Sequence, residues 1–133
     1  MKPKVQIFEG IPGSGKTTLK YALGERTNYR YLQIDRFTGS QWVFGKYRGI
    51  DVDVSEIEKS LRLSTDVHVI RMVCPLNIAF ERREDRCTME YLKEIRDLYD
   101  KYFEEISNFT NVITVNSATM TVEEEIERVL ERL

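Results

Sequence analysis

The sequence predicts an α/β protein, a three-layer sandwich with a short parallel sheet of about four strands in the order 2-1-3-4 and helices on both faces. Three observations predict it. Four short runs rich in β-branched and aromatic residues recur along the 133 residues, separated by stretches of helical periodicity. Strands joined through helices imply right-handed crossovers, hence parallel pairing with both sheet faces covered. The first strand also runs straight into a glycine-rich turn that opens a helix.

Val5-Gln6-Ile7-Phe8 is the first strand. A helix follows over Thr18 to Leu23, with Leu19, Ala22 and Leu23 at helical spacing and Gly24 as its stop. Tyr29 to Ile34 is the second strand, ending at Asp35. Ser55 to Arg62 is a helix that opens with Ser55 and Glu58 in capping-box spacing and sets Ile57 and Leu61 on one face. Val67 to Val73 is the third strand, closed off by Pro75, and Pro75 to Ser107 holds one or two helices with Tyr91, Ile95, Leu98 and Tyr102 as their apolar stripe. Asn111 to Val115 is the last strand. Thr121 and Glu124 repeat the capping-box spacing before Val122, Ile126, Val129 and Leu133. No linker or repeat intervenes, so residues 1–133 read as one domain.

Composition excludes several classes. There are 20 basic and 22 acidic residues, a formal net charge of -2, which argues against a dominant nucleic-acid-binding face. No apolar stretch approaches the ~18 residues of a membrane span, and the start lacks a signal peptide's apolar core. Cys74 and Cys87 form no C-x-x-C pair and have no histidine cluster beside them, so they read as reduced thiols of a cytoplasmic protein. His68 lies alone in an apolar run and reads as a core histidine.

Gly10-Ile11-Pro12-Gly13-Ser14-Gly15-Lys16-Thr17 matches G-x-x-x-x-G-K-[ST], the phosphate-cradling loop of P-loop NTPases, and it has the strand before and the helix after that this loop requires. A helix start presents unpaired N–H groups and the positive end of a dipole to an anion. Gly13 and Gly15 let the backbone curl so that successive amides point inward. Pro12 has no N–H, so the cradle runs from Gly13 through Thr18. Lys16 reaches the β- and γ-phosphates, Thr17 ligates Mg²⁺, and Thr18 serves the α-phosphate or caps the helix.

Ligands of such sheets bind at the carboxyl ends of strands, so Glu9, Asp35 and Cys74-Pro75 converge on the loop. Asp35 can hold Mg²⁺ through water or accept a proton, and Arg36 can clamp an acceptor phosphate. Glu9 is open to three roles: general base, ligand of a metal-bound water, or a group that orients the loop backbone. In the run Glu81-Arg82-Arg83-Glu84-Asp85-Arg86, the arginines at 82, 83 and 86 are candidates to neutralise charge on a transferring phosphoryl group. Trp42, Phe44 and Tyr47 are open to two readings, stacking on a nucleobase or packing a short helix.

These residues resemble the thymidylate kinases and related deoxynucleoside kinases over nearly the whole chain. Phe8-Glu9-Gly10 is similar to the family's entry into the loop, and Asp35-Arg36-Phe37-Thr38-Gly39-Ser40 resembles its D-R-[YF]-x-x-S signature, whose arginine binds the acceptor. Pro75, Ala79 and the three arginines resemble its LID segment, here around residues 79–90. Val115-Asn116-Ser117 with the final helix resembles its adenine-side loop. The chain departs from the thymidylate pattern at Pro12, where a carboxylate is usual, and at Gly45, where glutamine is usual. It also lacks a strand–helix unit before the D-R strand, as compact bacteriophage-encoded kinases do, which would place it in the host cytoplasm. The resemblance implies an ATP- and Mg²⁺-dependent kinase acting on a nucleoside or nucleoside monophosphate. Polynucleotide 5′-kinases share the loop form and would use Asp35 as base. A nucleotide-binding relative without catalysis is the third reading, and the oligomeric state is left open.

Overall fold

The computed structural model describes residues 1–83 and 86–133. Its sheet has four parallel strands, β1 (Lys4–Gly10), β2 (Leu32–Asp35), β3 (Asp66–Val73) and β4 (Val112–Asn116), in the order β2-β1-β3-β4. That is the expected order. The register aligns Val5 with Leu32 and Val67, Phe8 with Asp35 and Ile70, and Ile70 with Ile113. All four strands therefore end on one edge, at Gly10, Asp35, Val73 and Asn116.

Alternation along the strands divides the core into two sides. Phe8, Ile70, Met72, Ile113 and Val115 pack under α1 (Lys16–Arg26) and α6 (Val122–Arg132) through Leu19, Leu23, Ile126 and Val129. On the other side, Val5, Ile7, Val67 and Val69 meet Phe109, and Leu61 of α3 (Ser55–Ser64) packs on that cluster. A further cluster joins α2 (Thr38–Tyr47), α4 (Leu76–Arg83) and α5 (Met89–Lys101) around Val43, Ala79, Leu92 and Ile95. A π-helical turn, Tyr102–Ile106, closes α5.

Three local expectations are corrected. Gly24 does not stop α1, which runs on to Arg26. The stop is Asn28, left-handed at φ 54, with Tyr29 N–H bonded to Gly24 O (2.7 Å) and Asn28 N–H to Glu25 O (3.1 Å), a Schellman closure. The exposed Tyr29 ring lies over Gly24 and would have to swing aside for any larger residue there. Ser55 and Glu58 form no capping box: the Ser55 N–H and Oγ both donate to Asp53, and Glu58 is fully buried. Ile57 faces solvent, 47% exposed, while Leu61 points inward. The box at Thr121 and Glu124 forms as expected, each side chain accepting from the other's backbone N–H. Thr121→Ala should therefore lose about 1 kcal/mol in chemical denaturation, whereas Ser55→Ala should stay within about 0.5 kcal/mol.

Candidate active site

The loop begins where β1 meets β3. A Cβ on Gly10 would sit 2.6 Å from Met72 O, so only glycine lets the two strands run side by side to this edge. Gly13 (φ 81) and Gly15 (φ 92) are left-handed, and Gly15 caps α1. The amides that follow therefore turn inward at a helix start, where the dipole favours an anion. Lys16 folds back over the loop, its Nζ donating to Gly10 O (3.0 Å) and Ile11 O (3.2 Å). Ser14 Oγ is buried without a partner among the described residues.

A cavity of about 490 Å³ opens above the loop, lined by Pro12, Gly13, Ser14, Gly15, Lys16, Thr17, Thr18, Asp35, Arg36, Arg82 and Arg83. Sequence reasoning named every one of these. The convergence comes from the sheet order: β2 lies beside β1, and its last residue, Asp35, pairs with Phe8. Arg36 N–H then donates to Phe8 O (3.0 Å) with Arg36 held left-handed at φ 65, a conformation that costs an ordinary residue on the order of 1–3 kcal/mol. Its guanidinium lies over the Phe44 ring, 5.3 Å from the centroid.

From α4, Arg82 Nη1 donates to Gly13 O (2.8 Å) and Ser117 Oγ (3.0 Å), tying the loop to the turn after β4. Arg83 lines the cavity, and its buried Nε has no partner among the described residues. Arg86 is exposed and does not line the cavity; its backbone N–H donates to Arg83 O (2.8 Å). Glu84 and Asp85, in the middle of the LID-like segment 79–90, lie outside the described residues.

Glu9 and Gly10 sit behind the cavity. Gly10 supplies a carbonyl to Lys16. Glu9, 1% exposed, turns toward the start of α2. Its Oε2 accepts from Ser40 N–H (2.9 Å) and Phe37 N–H (3.1 Å), and its Oε1 from Ser40 Oγ (2.5 Å) and Tyr99 OH (3.4 Å). Burial pushes its pKa up while these hydrogen bonds pull it back. The expected orienting role was toward the loop backbone, but none of these bonds goes there: the carboxylate is spent on the backbone and hydroxyl at the start of α2 and on the Tyr99 hydroxyl of α5. Trp42 is likewise buried, 6.1 Å from the Tyr102 ring, so packing, not stacking on a base, holds it.

Thr17 and Asp35 are both exposed to the cavity, and no group of three metal-ligating side chains occurs among the described residues. That donor set fits Mg²⁺, which keeps most of its waters and takes one or two protein oxygens. The glycine cradle, Lys16 and the arginines fit a polyphosphate.

Two smaller cavities flank the main one. One, about 280 Å³, shares Gly15, Thr18 and Arg82 with it and adds Ser117, Met120, Val122 and Glu125. The other, about 120 Å³, lies behind Gly10 and Ile11 and is lined by Cys74, Tyr99 and the Arg71–Asp100 pair (2.5 Å). Glu125, Arg71 and Asp100 were missed by sequence reasoning. Glu125 carried a signal: it shares the inward stripe 125, 126, 129 with apolar residues.

No protein family matches the sequence, and no curated protein does. Solved structures do. The Bacillus subtilis YorR protein, in complex with phosphorylated GDP, superposes with a TM-score of 0.78 at 14% identity, over 96% of this chain and 94% of that one. The chain shares that fold. The deoxyadenosine kinase of M. mycoides with bound dATP gives 0.69 at 15% identity, covering 97% and 98% of the two chains. A sugar kinase from Janibacter sp. gives 0.55 at 15% identity, covering 98% and 94%. Among the described residues no helix is long and apolar enough to cross a membrane.

Burial, and then the neighbouring Arg36, push the Lys16 pKa down to about 8, against the pull of Asp35 and Glu9. A lowered lysine loses its proton as pH rises through about 8, and a bound polyphosphate favours the charged form. Titration calorimetry should therefore show proton uptake on tripolyphosphate binding above pH 8 and weakening affinity toward higher pH. Lys16→Arg, always charged, should remove that proton uptake.

Proposed function

We propose that this chain is a Mg²⁺-dependent kinase that moves the γ-phosphoryl group of a nucleoside triphosphate to a nucleoside or nucleoside monophosphate. Residues 1–133 act as one kinase domain with the segment 79–90 as its cover. The observation that carries the reading is one cavity in which the loop, Lys16, Asp35, Arg36 and Arg83 face each other.

The amides from Gly13 to Thr18 and the Lys16 ammonium hold the donor's phosphates at the helix start. Thr17 and, through water, Asp35 would hold Mg²⁺, which when bound draws charge from the β- and γ-oxygens. Arg36 clamps the acceptor: its strained backbone and its seat on Phe44 fix the guanidinium in one place, so little freedom is lost when it binds. Asp35 takes the proton when the acceptor is a hydroxyl; an acceptor phosphate is already anionic and needs no base. Arg83 neutralises the transferring group, and Arg82 positions the loop from which the donor is held. Catalysis on this account is placement and electrostatics, with no covalent intermediate.

The test is transfer from radiolabelled ATP or GTP to deoxynucleosides, their monophosphates and a 5′-hydroxyl oligonucleotide. Label should pass to the nucleosides or monophosphates, with Arg36→Ala raising the acceptor KM at least about tenfold. Lys16→Ala should cut kcat at least about a hundredfold at an unchanged melting temperature. Label passing to the oligonucleotide alone, or full activity in Lys16→Ala, contradicts the proposal.

A further inference from the structure

The cavity beside the phosphate loop contains a carboxylate with nothing to bind. Glu125 is 3% exposed, yet its side chain makes no hydrogen bond or ion pair among the described residues. Its backbone N–H is used in α6, bonded to Thr121 O (2.9 Å). Its neighbour Glu124 spends its carboxylate on the capping box, so capping does not account for Glu125. A buried carboxylate without hydrogen-bond donors is costly, and such groups normally find partners. The charged group that faces it is Arg82, whose Nη1 is already committed to Gly13 O and Ser117 Oγ.

The position of this cavity says what could complete it. It shares Gly15, Thr18 and Arg82 with the phosphate cavity, so a nucleotide whose phosphates lie on the loop extends its base here. Met120 and Val122 offer apolar walls to the flat faces of a ring. Burial raises the Glu125 pKa and Arg82 opposes that rise. An ionised carboxylate offers two acceptors side by side and no donor. Guanine presents two adjacent N–H donors, at N1 and N2, that match it. Adenine presents one donor, at N6, beside the N1 lone pair, which a carboxylate repels.

We propose that Glu125 selects the donor base, pairing through its carboxylate with the N1–H and N2–H edge of guanine, so that GTP is preferred to the ATP expected from sequence. This rests on the kinase reading above, since it requires a triphosphate seated on the loop. Discrimination by one bidentate pair of this kind is worth roughly five- to a hundredfold in affinity.

The experiment is titration calorimetry of the full chain with magnesium-loaded GTP, ITP and ATP and with tripolyphosphate. GTP should bind about tenfold tighter than ATP, with ITP, which lacks the 2-amino group, between them. Glu125→Gln, which presents one acceptor and one donor, should abolish that preference while tripolyphosphate affinity stays within about twofold. Glu125→Ala should equalise the three nucleotides, and melting curves check that both variants fold. Equal wild-type affinities for GTP and ATP, or an unchanged ratio in Glu125→Gln, overturn this inference alone if tripolyphosphate still binds. Failure of tripolyphosphate and every nucleotide to bind overturns the kinase reading as well.

Discussion

The site depends on how closely other backbone approaches the phosphate loop. At Gly10 and Gly13 a side chain would strike Met72 O and Ala79 O at 2.6 and 2.7 Å, and at Gly15 it would press on the Ser117 side chain at 3.1 Å. These three neighbours belong to β3, to α4 and to the turn after β4. The loop is thus held from three sides by close contacts that need no side chain of its own. Its amides are turned inward before any anion arrives, so little ordering remains to oppose binding. The same close approach brings Arg82 and Arg83 of α4 to the cavity rim.

The Arg36 side of the cavity rests on buried carboxylates, which is an expensive way to place a helix. Glu9 holds the start of α2 through Phe37 and Ser40, while Glu58 accepts from Tyr102 OH (2.9 Å), which in turn meets Thr38 Oγ1 (3.1 Å). Burial raises the pKa of both carboxylates. Gly39 lies between the two groups, with the Glu9 carboxylate 2.5 Å and the Tyr102 ring 3.0 Å from where a Cβ would sit. The consequence reaches Arg36, because α2 also carries Phe44, on which that guanidinium rests. Orientation of the Arg36 guanidinium is therefore set from beneath, by groups that do not line the cavity.

Most of the sheet was legible in the residues because alternation and the glycine turn are local signals that tertiary packing reinforced. The loop, Asp35, Arg36, Arg82 and Arg83 were legible for the same reason: strand ends in a parallel sheet meet on one edge. What escaped was long-range. The helix α2 was weakly marked, since Gly39 and Gly45 lower helix propensity; each is glycine because Glu9, or Val52 at 2.6 Å, occupies the space of its side chain. Val52 thus fills the space at 45 that the glutamine expected from the resemblance would need. Glu58 and Glu125 were misread or passed over because an acidic residue near a helix start ordinarily caps or solvates. Their inward placement showed only in the phase of the apolar stripe.

The claim beneath all of this is that amides 13 to 18 grip a polyphosphate. An amide ¹H–¹⁵N correlation titration with tripolyphosphate tests it most directly. The account predicts large downfield shifts confined to Gly13, Ser14, Gly15, Lys16, Thr17 and Thr18. Saturation of shifts elsewhere on the chain, or no shift at those six amides, would contradict it.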